Sequence, residues 1–266
     1  MATPAIHNAA FPAPAPAVPG LDVLHDVCAV KVFGDGGVFP TGEQAHDEYL
    51  ATLTPAELNQ LCMDILTRPI PVYPAISATS YGLLYWDAEY IDPRTDYGLA
   101  VHRSIARRCR ADYPRRKLAA YGWPRQRHEE WDNPQSARAI RVGNDGLAGL
   151  LDAVDMVLVS QYVNDDGGAG SDPDTVRRHF MYDCAEGMRL AHRTSVPKPV
   201  AAFIQYRSVG GTTAALPDPL LEACWTVHRS FGISSVLFEW NQTFHQEFVA
   251  ECEKAMRVWA GIDGSI

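Results

Sequence analysis

Two acidic residues, Asp87 and Glu89, stand at the end of the apolar run Gly82-Leu-Leu-Tyr-Trp-Asp-Ala-Glu-Tyr-Ile91. The run is rich in β-forming residues and bounded by turn residues, which is typical of a strand buried on both faces of a parallel sheet. Residues i and i+2 of a strand point to the same face, about 6–7 Å apart. In a β/α barrel the C-terminal ends of the strands carry the active site, so this pair is suited to proton transfer there. Because Asp-x-Glu is a short motif, capping of the strand and pairing with nearby arginines is the alternative.

Composition limits the classes of function that the chain can have. It has 266 residues, 47% of them hydrophobic and 21% charged, with a net charge of −9. This length fits one large barrel-type domain or two small ones. The acidic balance argues against nucleic-acid binding, which usually needs a basic surface. The arginine-rich stretch 103–117 is more typical of a solvated helix face. No apolar run approaches the roughly 18–20 residues of a membrane span.

The N-terminus and the cysteines give no sign of export or of a metal site. The first 20 residues have neither a basic start nor a long apolar core, so they predict no targeting signal. A signal removed and replaced by Met1 would leave the same sequence, so a secreted mature form stays open. The six cysteines lie singly, without metal-ligand spacing, and are predicted to be reduced core residues. We predict no metal and no cofactor.

Strand-like and helix-like segments alternate along the whole chain. The alternation predicts one irregular TIM-type (β/α) barrel with about seven strands, in a single domain over residues 1–266. The predicted strands are 4–8, 27–33, 82–91, 117–124, 155–162, 199–206 and 234–241. Helices are predicted from the capping box Thr54-Pro-Ala-Glu57, over 96–110, over 147–152, from Asp172-Pro173, over 217–231 and up to Trp259.

Polar and aromatic residues recur where the predicted strands end. A buried core would explain one or two of them, but not their repetition at the same end of successive strands. Aromatic faces pack against the C–H faces of sugars, and carboxylates transfer protons, so the set indicates a carbohydrate site. Besides the acidic pair, the predicted site residues are Tyr121, Trp123, Gln161, Tyr162, Tyr206, Arg207, Glu239 and Trp240.

Several of these motifs resemble the hyaluronidase family of glycoside hydrolases, which are relatives of the chitinases. The family's catalytic strand carries Asp-x-Glu after an apolar run, similar to Leu83-Leu-Tyr-Trp-Asp-Ala-Glu89. Its next strand ends in an aromatic-Gly-aromatic-Pro turn, similar to Tyr121-Gly-Trp-Pro124. Later strands end in Pro-Ser-x-Tyr and Leu-Trp-Gly, which Val159-Ser-Gln-Tyr162 and Leu237-Phe-Glu-Trp240 resemble. The resemblance runs loosely over residues 27–255.

The resemblance implies retaining, substrate-assisted hydrolysis of a polymer that contains N-acetylhexosamine. Glu89 would be the general acid and base, and Asp87 would orient the acetamido group of the substrate. Tyr162 would hydrogen-bond to that group, and Trp240 would lie under the sugar. The chain departs from the family at Arg125-Gln-Arg127, where the family has Cys-Tyr-Asn, and in lacking a recognisable disulfide framework.

Two other functions fit the same residues. In a two-carboxylate glycosidase, Glu239 would join Glu89, with the carboxyl groups about 5–5.5 Å apart for retention and farther apart for inversion. Strand alternation counts against it, because Glu239 points out of a barrel if Trp240 points in. A barrel that only binds glycans would keep the aromatic residues without catalysis. In each case the expected partner is an oligo- or polysaccharide, and the sequence carries no signal for an oligomeric state.

Overall fold

The computed structural model describes residues 5–8, 23–24, 27–32, 46–73, 77–88, 90–124, 128–161, 172–205, 216–239 and 249–262. The described strands are β1 (Ala5–Asn8), β2 (Val23–Leu24), β3 (Val27–Val30), β4 (Val72–Tyr73), β5 (Gly82–Asp87), β6 (Arg116–Tyr121), β7 (Val157–Gln161), β8 (Val200–Gln205) and β9 (Ser235–Glu239). The described helices are α1 (His46–Thr52), α2 (Pro55–Thr67), α3 (Asp96–Asp112), α4 (Pro134–Asp145), α5 (Ala148–Ala153), α6 (Pro173–Ala191), α7 (Asp218–Phe231) and α8 (Val249–Trp259), with a 3-10 helix at His128–Asp132.

The strands form two sheets. One is parallel and five-stranded, in the order β2-β1-β9-β8-β7. The other has the order β4-β3-β5-β6 and is parallel except for β4. All seven predicted strands are present, and the alternation of strands and helices is confirmed. Among the described residues, backbone pairing does not join the two sheets into one closed barrel, so closure stays a prediction, as does a single domain over residues 1–266.

A side chain links the sheets between β6 and β7. The backbone N–H of Leu118 donates to the Oδ2 of Asp155 (2.8 Å), and the carbonyl of Leu118 accepts from the backbone N–H of Asp155 (2.8 Å). Arg110 of α3 holds the same carboxylate through two hydrogen bonds. The backbone N–H of Leu118 therefore donates to a carboxylate, where in a continuous sheet it would donate to a carbonyl of the next strand. The pattern of apolar residues along a strand does not predict a hydrogen bond of this kind.

The two faces of the strands pack into two separate hydrophobic clusters. The inner cluster draws on both sheets and includes Leu83, Tyr85, Leu158, Phe203 and Leu237. The residues between them in the chain belong to an outer cluster that packs against the helices. Residues of opposite sheets share the inner cluster, so the sheets face each other across it. Alternation along each strand then decides which side chains reach the interior.

Local capping explains where the helices begin. Thr54 and Glu57 form the predicted capping box: the Thr54 N–H donates to Glu57 Oε2 (2.8 Å), and the Glu57 N–H donates to Thr54 Oγ1 (3.3 Å). Thr95 caps α3, and Asp172 caps α6. Helix α4, which was not predicted, starts with an Asn133 cap and proline at its first position. None of the described helices has the length and apolarity needed to cross a membrane.

Candidate active site

Asp87 lies at the C-terminal end of β5, where the sequence predicts the catalytic carboxylates. It is paired in register with Tyr121, the last residue of β6, and both residues are partly exposed. Two positions earlier, Tyr85 is paired with Ala119, and both belong to the inner cluster. Asp87 therefore shares the inner face of its strand and lies at the edge of the sheet that opens to solvent.

Three aromatic rings pack together on this inner face. The ring of Tyr121 lies 5.2 Å from that of Phe203 and 6.4 Å from that of Tyr85, measured between centroids. Tyr85 and Phe203 are 5.5 Å apart in an edge-on arrangement. Phe203 comes from β8, in the other sheet, so this aromatic triangle connects the two sheets beneath Asp87. It supplies a rigid, apolar floor at the end of the strands.

The segment after Asp87 is held by buried contacts. The N–H of Ile91 donates to the carbonyl of Ala88 at 3.0 Å, and both residues are fully buried. Farther along the chain, the guanidinium of Arg94 donates to both carboxylate oxygens of Asp92, and Thr95 caps α3. Ala88 and Ile91, which flank positions 89 and 90 in the chain, are therefore both in the protein core and hydrogen-bonded to each other.

A buried histidine of α3 joins both ends of this segment. The indole N–H of Trp86 donates to Nδ1 of His102 (3.0 Å), and Nε2 of His102 lies 2.8 Å from the carbonyl oxygen of Ile91. An indole nitrogen can only donate, so Nδ1 accepts and Nε2 carries the proton. Burial lowers the pKa of His102 to about 4, which keeps the ring neutral. The sequence analysis missed His102, which lies one turn before the buried Ile105 on α3.

Gln161 does not lie in the site, so the prediction that it contacts substrate is wrong. It is 1% exposed and follows Val157 and Val159 on the outer face of β7. Its amide N–H donates to the carbonyl of Phe180 (3.1 Å), and its Oε1 accepts from Nε2 of His228 (2.5 Å). The sequence analysis named neighbouring residues at each strand end, and alternation sends such neighbours to opposite faces.

Trp123 is also a packing residue, in contrast to its predicted role as a sugar platform. Its ring is 2% exposed and belongs to the outer cluster. Its indole N–H points to the carbonyl of Ala88 at 3.5 Å, and the guanidinium of Arg94 lies 5.6 Å from the ring centroid. Trp123 therefore supports the segment that follows Asp87, with no free ring face for a sugar.

Ser160 is a site candidate that the sequence analysis did not single out. It pairs with Phe203 across β7 and β8 and follows Leu158 by two positions, so it lies on the inner face. Its hydroxyl is buried and has no hydrogen-bond partner within the described part of the chain. Strand alternation applied to Val159-Ser-Gln-Tyr162 would have selected Ser160 over Gln161.

The rim near α6 carries a charged cluster. Asp132 accepts hydrogen bonds from Arg178 (3.0 Å) and His179 (2.9 Å), which joins the 3-10 helix to the first half of α6. The hydrogen bonds from Arg178, and then from His179, lower the pKa of Asp132 to about 2. This carboxylate stays ionised at neutral pH and is occupied by its partners, so it fixes the rim and is a poor candidate for general acid.

Most of the other predicted site residues fall outside the described ranges. These are Glu89, Tyr162, Tyr206, Arg207 and Trp240. For Glu239 the structure gives the backbone only: it ends β9 and is paired with Gln205. Position 239 follows Leu237 of the inner cluster by two residues, and this register removes the alternation argument against Glu239. Asp87 and Tyr121 are the predicted site residues that the structure brings together.

Comparisons with known proteins give similarity in structure only. The chain matches no protein-family model and, in sequence, no curated protein. It is similar to the crystal structure of bee venom hyaluronidase, with a TM-score of 0.54 and 12% identity over 78% of this chain and 76% of that chain. The complex of that enzyme with a hyaluronic acid tetramer gives the same TM-score with 14% identity, over 78% and 72% of the two chains.

A structure of fungal β-1,4-galactanases aligns more loosely, with a TM-score of 0.41 and 14% identity over 71% of this chain and 60% of that one. It adds nothing to the fold assignment. At these identities the likeness concerns the fold alone. It does not single out the hyaluronidase family.

Proposed function

We propose that the chain is a glycoside hydrolase that cleaves a polysaccharide containing N-acetylhexosamine, with retention of configuration. The observation that carries the proposal is the place of Asp87. Its carboxylate ends β5 on the inner face, beside Tyr121 and above the aromatic triangle. The fold is similar to that of a hyaluronidase, whose complex contains a hyaluronic acid tetramer.

In the proposed mechanism the nucleophile belongs to the substrate. Glu89 donates its proton to the glycosidic oxygen while the acetamido oxygen attacks the anomeric carbon, and the bond to the leaving sugar breaks. Asp87 accepts a hydrogen bond from the acetamido N–H, which orients the group and stabilises its developing positive charge. The Glu89 carboxylate then takes a proton from water, which opens the cyclic intermediate. No enzyme carboxylate forms a covalent bond, as in the substrate-assisted exceptions to the two-carboxylate rule.

The sugar that undergoes cleavage would lie on the inner face of the strand ends. Tyr121 is the described aromatic residue that is both partly exposed and next to Asp87. Tyr162 would hydrogen-bond to the acetamido group. Trp240 would pack under the sugar ring if the chain leaves strand alternation after Glu239, since that alternation places position 239, and not position 240, on the face of Leu237. Tyr206 and Arg207 follow β8 directly, where they would contact neighbouring sugars. Gln161 and Trp123 have no part in this proposal because both are buried in the outer layer.

A two-carboxylate glycosidase is the second candidate. Position 239 has the register of Leu237, an inner residue, so Glu239 is compatible with a role opposite Glu89. This enzyme would not require an acetamido group on the substrate. Cleavage of a polysaccharide without 2-acetamido groups, abolished by Glu239→Gln and little changed by Asp87→Asn, would establish this alternative and contradict substrate assistance.

Release of reducing ends from a panel of polysaccharides tests the proposal. Hyaluronan, chondroitin and chitin contain N-acetylhexosamine, whereas galactan and xylan do not. We expect release from at least one of the first three and from neither of the others. Binding to a polymer of the panel without any release would instead identify a glycan-binding barrel.

A further inference from the structure

Two buried histidines in different helices each bridge a tryptophan and a hydrogen-bond acceptor. Each accepts the indole N–H of a tryptophan at Nδ1: His102 from Trp86 at 3.0 Å and His228 from Trp259 at 3.1 Å. From Nε2, His102 donates to the carbonyl of Ile91, beyond the end of β5, and His228 donates to the side-chain oxygen of Gln161, the last residue of β7. Both side chains are 0% exposed, and burial lowers both pKa values, to about 4 for His102 and about 3 for His228. Both rings are therefore neutral donor–acceptor bridges at working pH.

The bridge made by His102 spans the segment of the proposed acidic pair. Trp86, on one side, directly precedes Asp87 in β5. Ile91, on the other side, follows Glu89 by two residues, and its carbonyl accepts from Nε2 of His102. The N–H of Ile91 donates a hydrogen bond to the carbonyl of Ala88. The end of β5, the backbone of Ile91 and helix α3 are thus joined by hydrogen bonds between buried residues.

The bridge made by His228 fixes the end of β7. Its Nε2 donates to Gln161, whose amide N–H continues to the carbonyl of Phe180 in α6. Gln161 directly precedes Tyr162, which is proposed to contact the acetamido group. A tryptophan–histidine hydrogen bond is therefore linked to each of the two strand ends that carry proposed catalytic residues.

We propose that His102 is a positioning residue that holds the Asp87–Glu89 segment in its reactive geometry through the carbonyl of Ile91, and that His228 does the same for β7. This inference rests on the proposed function for its effect on rate. A buried neutral histidine could also serve stability alone. The two roles differ in one respect: positioning depends on the bond to the Ile91 carbonyl, whereas stability depends on both bonds and on packing.

Two variants of His102 separate these bonds. In His102→Gln the side-chain N–H reaches the position of Nε2 and can still donate to the Ile91 carbonyl. In His102→Asn the side-chain oxygen stands near the position of Nδ1, so it can accept from Trp86, but no donor reaches Ile91. Small displacements of a catalytic group cost up to about 100-fold in rate. We expect His102→Asn to lower kcat by about tenfold or more with little change in KM, and His102→Gln to stay within about threefold of wild type.

The control for loss of stability is Asn144→Ala. Asn144 is 3% exposed, and its amide donates to Glu186 Oε1 (3.0 Å), between α4 and α6. These helix ends lead toward the N-terminal ends of the strands, away from Asp87. We expect this variant to melt at a lower temperature with unchanged kcat. Equal kcat losses in Asn144→Ala and His102→Asn, after matching for folded fraction, would overturn the inference.

Amide hydrogen exchange tests the same bridge without any substrate. We expect His102→Asn to speed exchange at Ile91 about tenfold or more, with β8 unchanged and His102→Gln close to wild type. If His102→Asn does not fold, His102→Leu, which removes the donor to the Ile91 carbonyl and keeps an apolar side chain in the core, takes its place with the same expected direction.

Failure of the proposed function looks different from failure of this inference. An inactive wild-type enzyme with fast Ile91 exchange in the variant contradicts the function and retains the bridge. An active wild-type enzyme, with kcat and Ile91 exchange both unchanged in the variant, contradicts the inference alone.

Discussion

Asp87 and Tyr121 end neighbouring parallel strands in direct register, and both lie above an aromatic triangle whose third and deepest ring, Phe203, comes from the opposite sheet. A partly exposed carboxylate next to a partly exposed phenol ring, on a rigid apolar base, offers a sugar one charged and one flat contact.

Asp87→Asn is expected to lower kcat by about 100-fold with little change in KM, because the amide keeps the shape of the side chain but cannot stabilise a cationic intermediate. Steady-state kinetics on a polymer with N-acetylhexosamine measures the effect. Asp152→Asn, an exposed residue of α5, is the matched control and should behave as wild type. A rate for Asp87→Asn near that of the control would mean that Asp87 has no part in the reaction.

Phe203→Ala is expected to destabilise the fold by about 3–5 kcal/mol, since it removes a fully buried ring and leaves a cavity. It also removes the support of Tyr121, so activity per folded molecule should fall. Phe203→Leu, which refills much of the volume, should recover most of the stability. Urea unfolding measures the first effect and initial rates the second. Unchanged stability in Phe203→Ala would show that the aromatic triangle does not contribute to the stability of the core.

Acid should destabilise the protein through its two buried histidines. Burial lowers their pKa values in the folded state to about 4 and about 3, against an ordinary value near 6.5, so below pH 6.5 the unfolded chain binds protons that the folded chain does not. Their contribution is complete above pH 6.5 and falls by about 1.4 kcal/mol per pH unit for each histidine as the pH drops toward 4. The stabilising contribution of Asp132 falls only at lower pH, below its ordinary value of 3.8 and toward 2.

Urea unfolding at pH 7.0, 5.5 and 4.5 measures this slope. His102→Gln should reduce it by about half, since one of the two histidines no longer titrates. If the free energy of unfolding stays constant or increases as the pH is lowered from 7.0 to 4.5, the two histidines are not held neutral in the folded protein.

Gly98→Ala is expected to destabilise the start of α3. A Cβ atom at Gly98 would lie 2.0 Å from the carbonyl oxygen of Asp92, which is backbone and cannot move aside easily. The overlap would push α3 away from the segment that follows Asp87, so melting temperature and kcat should fall together. Ala148→Gly, at an exposed position of α5, serves as the control for helix propensity. A wild-type melting temperature for Gly98→Ala would show that the Asp92 carbonyl lies farther from Gly98 than in the structure.

The seven predicted strands and α2, whose start Thr54-Pro-Ala-Glu57 marks, could be read from the sequence because their signals are local. Helices α1 and α4 and the two-residue strands β2 and β4 were not predicted. The orientation of single side chains was harder to predict. Gln161 and Trp123 were placed in the site, although alternation and packing send both to the outer layer. The link through Asp155 and the bridges of His102 and His228 depend on residues far apart in the chain, and no local pattern shows them.

The most direct test of the account is the rate of reducing-end release by Glu89→Gln, compared with wild type and with Glu48→Gln, an exposed residue of α1. The amide retains the shape of the acid but cannot deliver a proton, and general acid catalysis is worth about 10²–10⁴-fold. The account predicts a loss of at least about 100-fold for Glu89→Gln, with normal folding and glycan binding, and no loss for Glu48→Gln. A Glu89→Gln enzyme with more than about a third of the wild-type rate would contradict the role of Glu89 and with it the proposed mechanism.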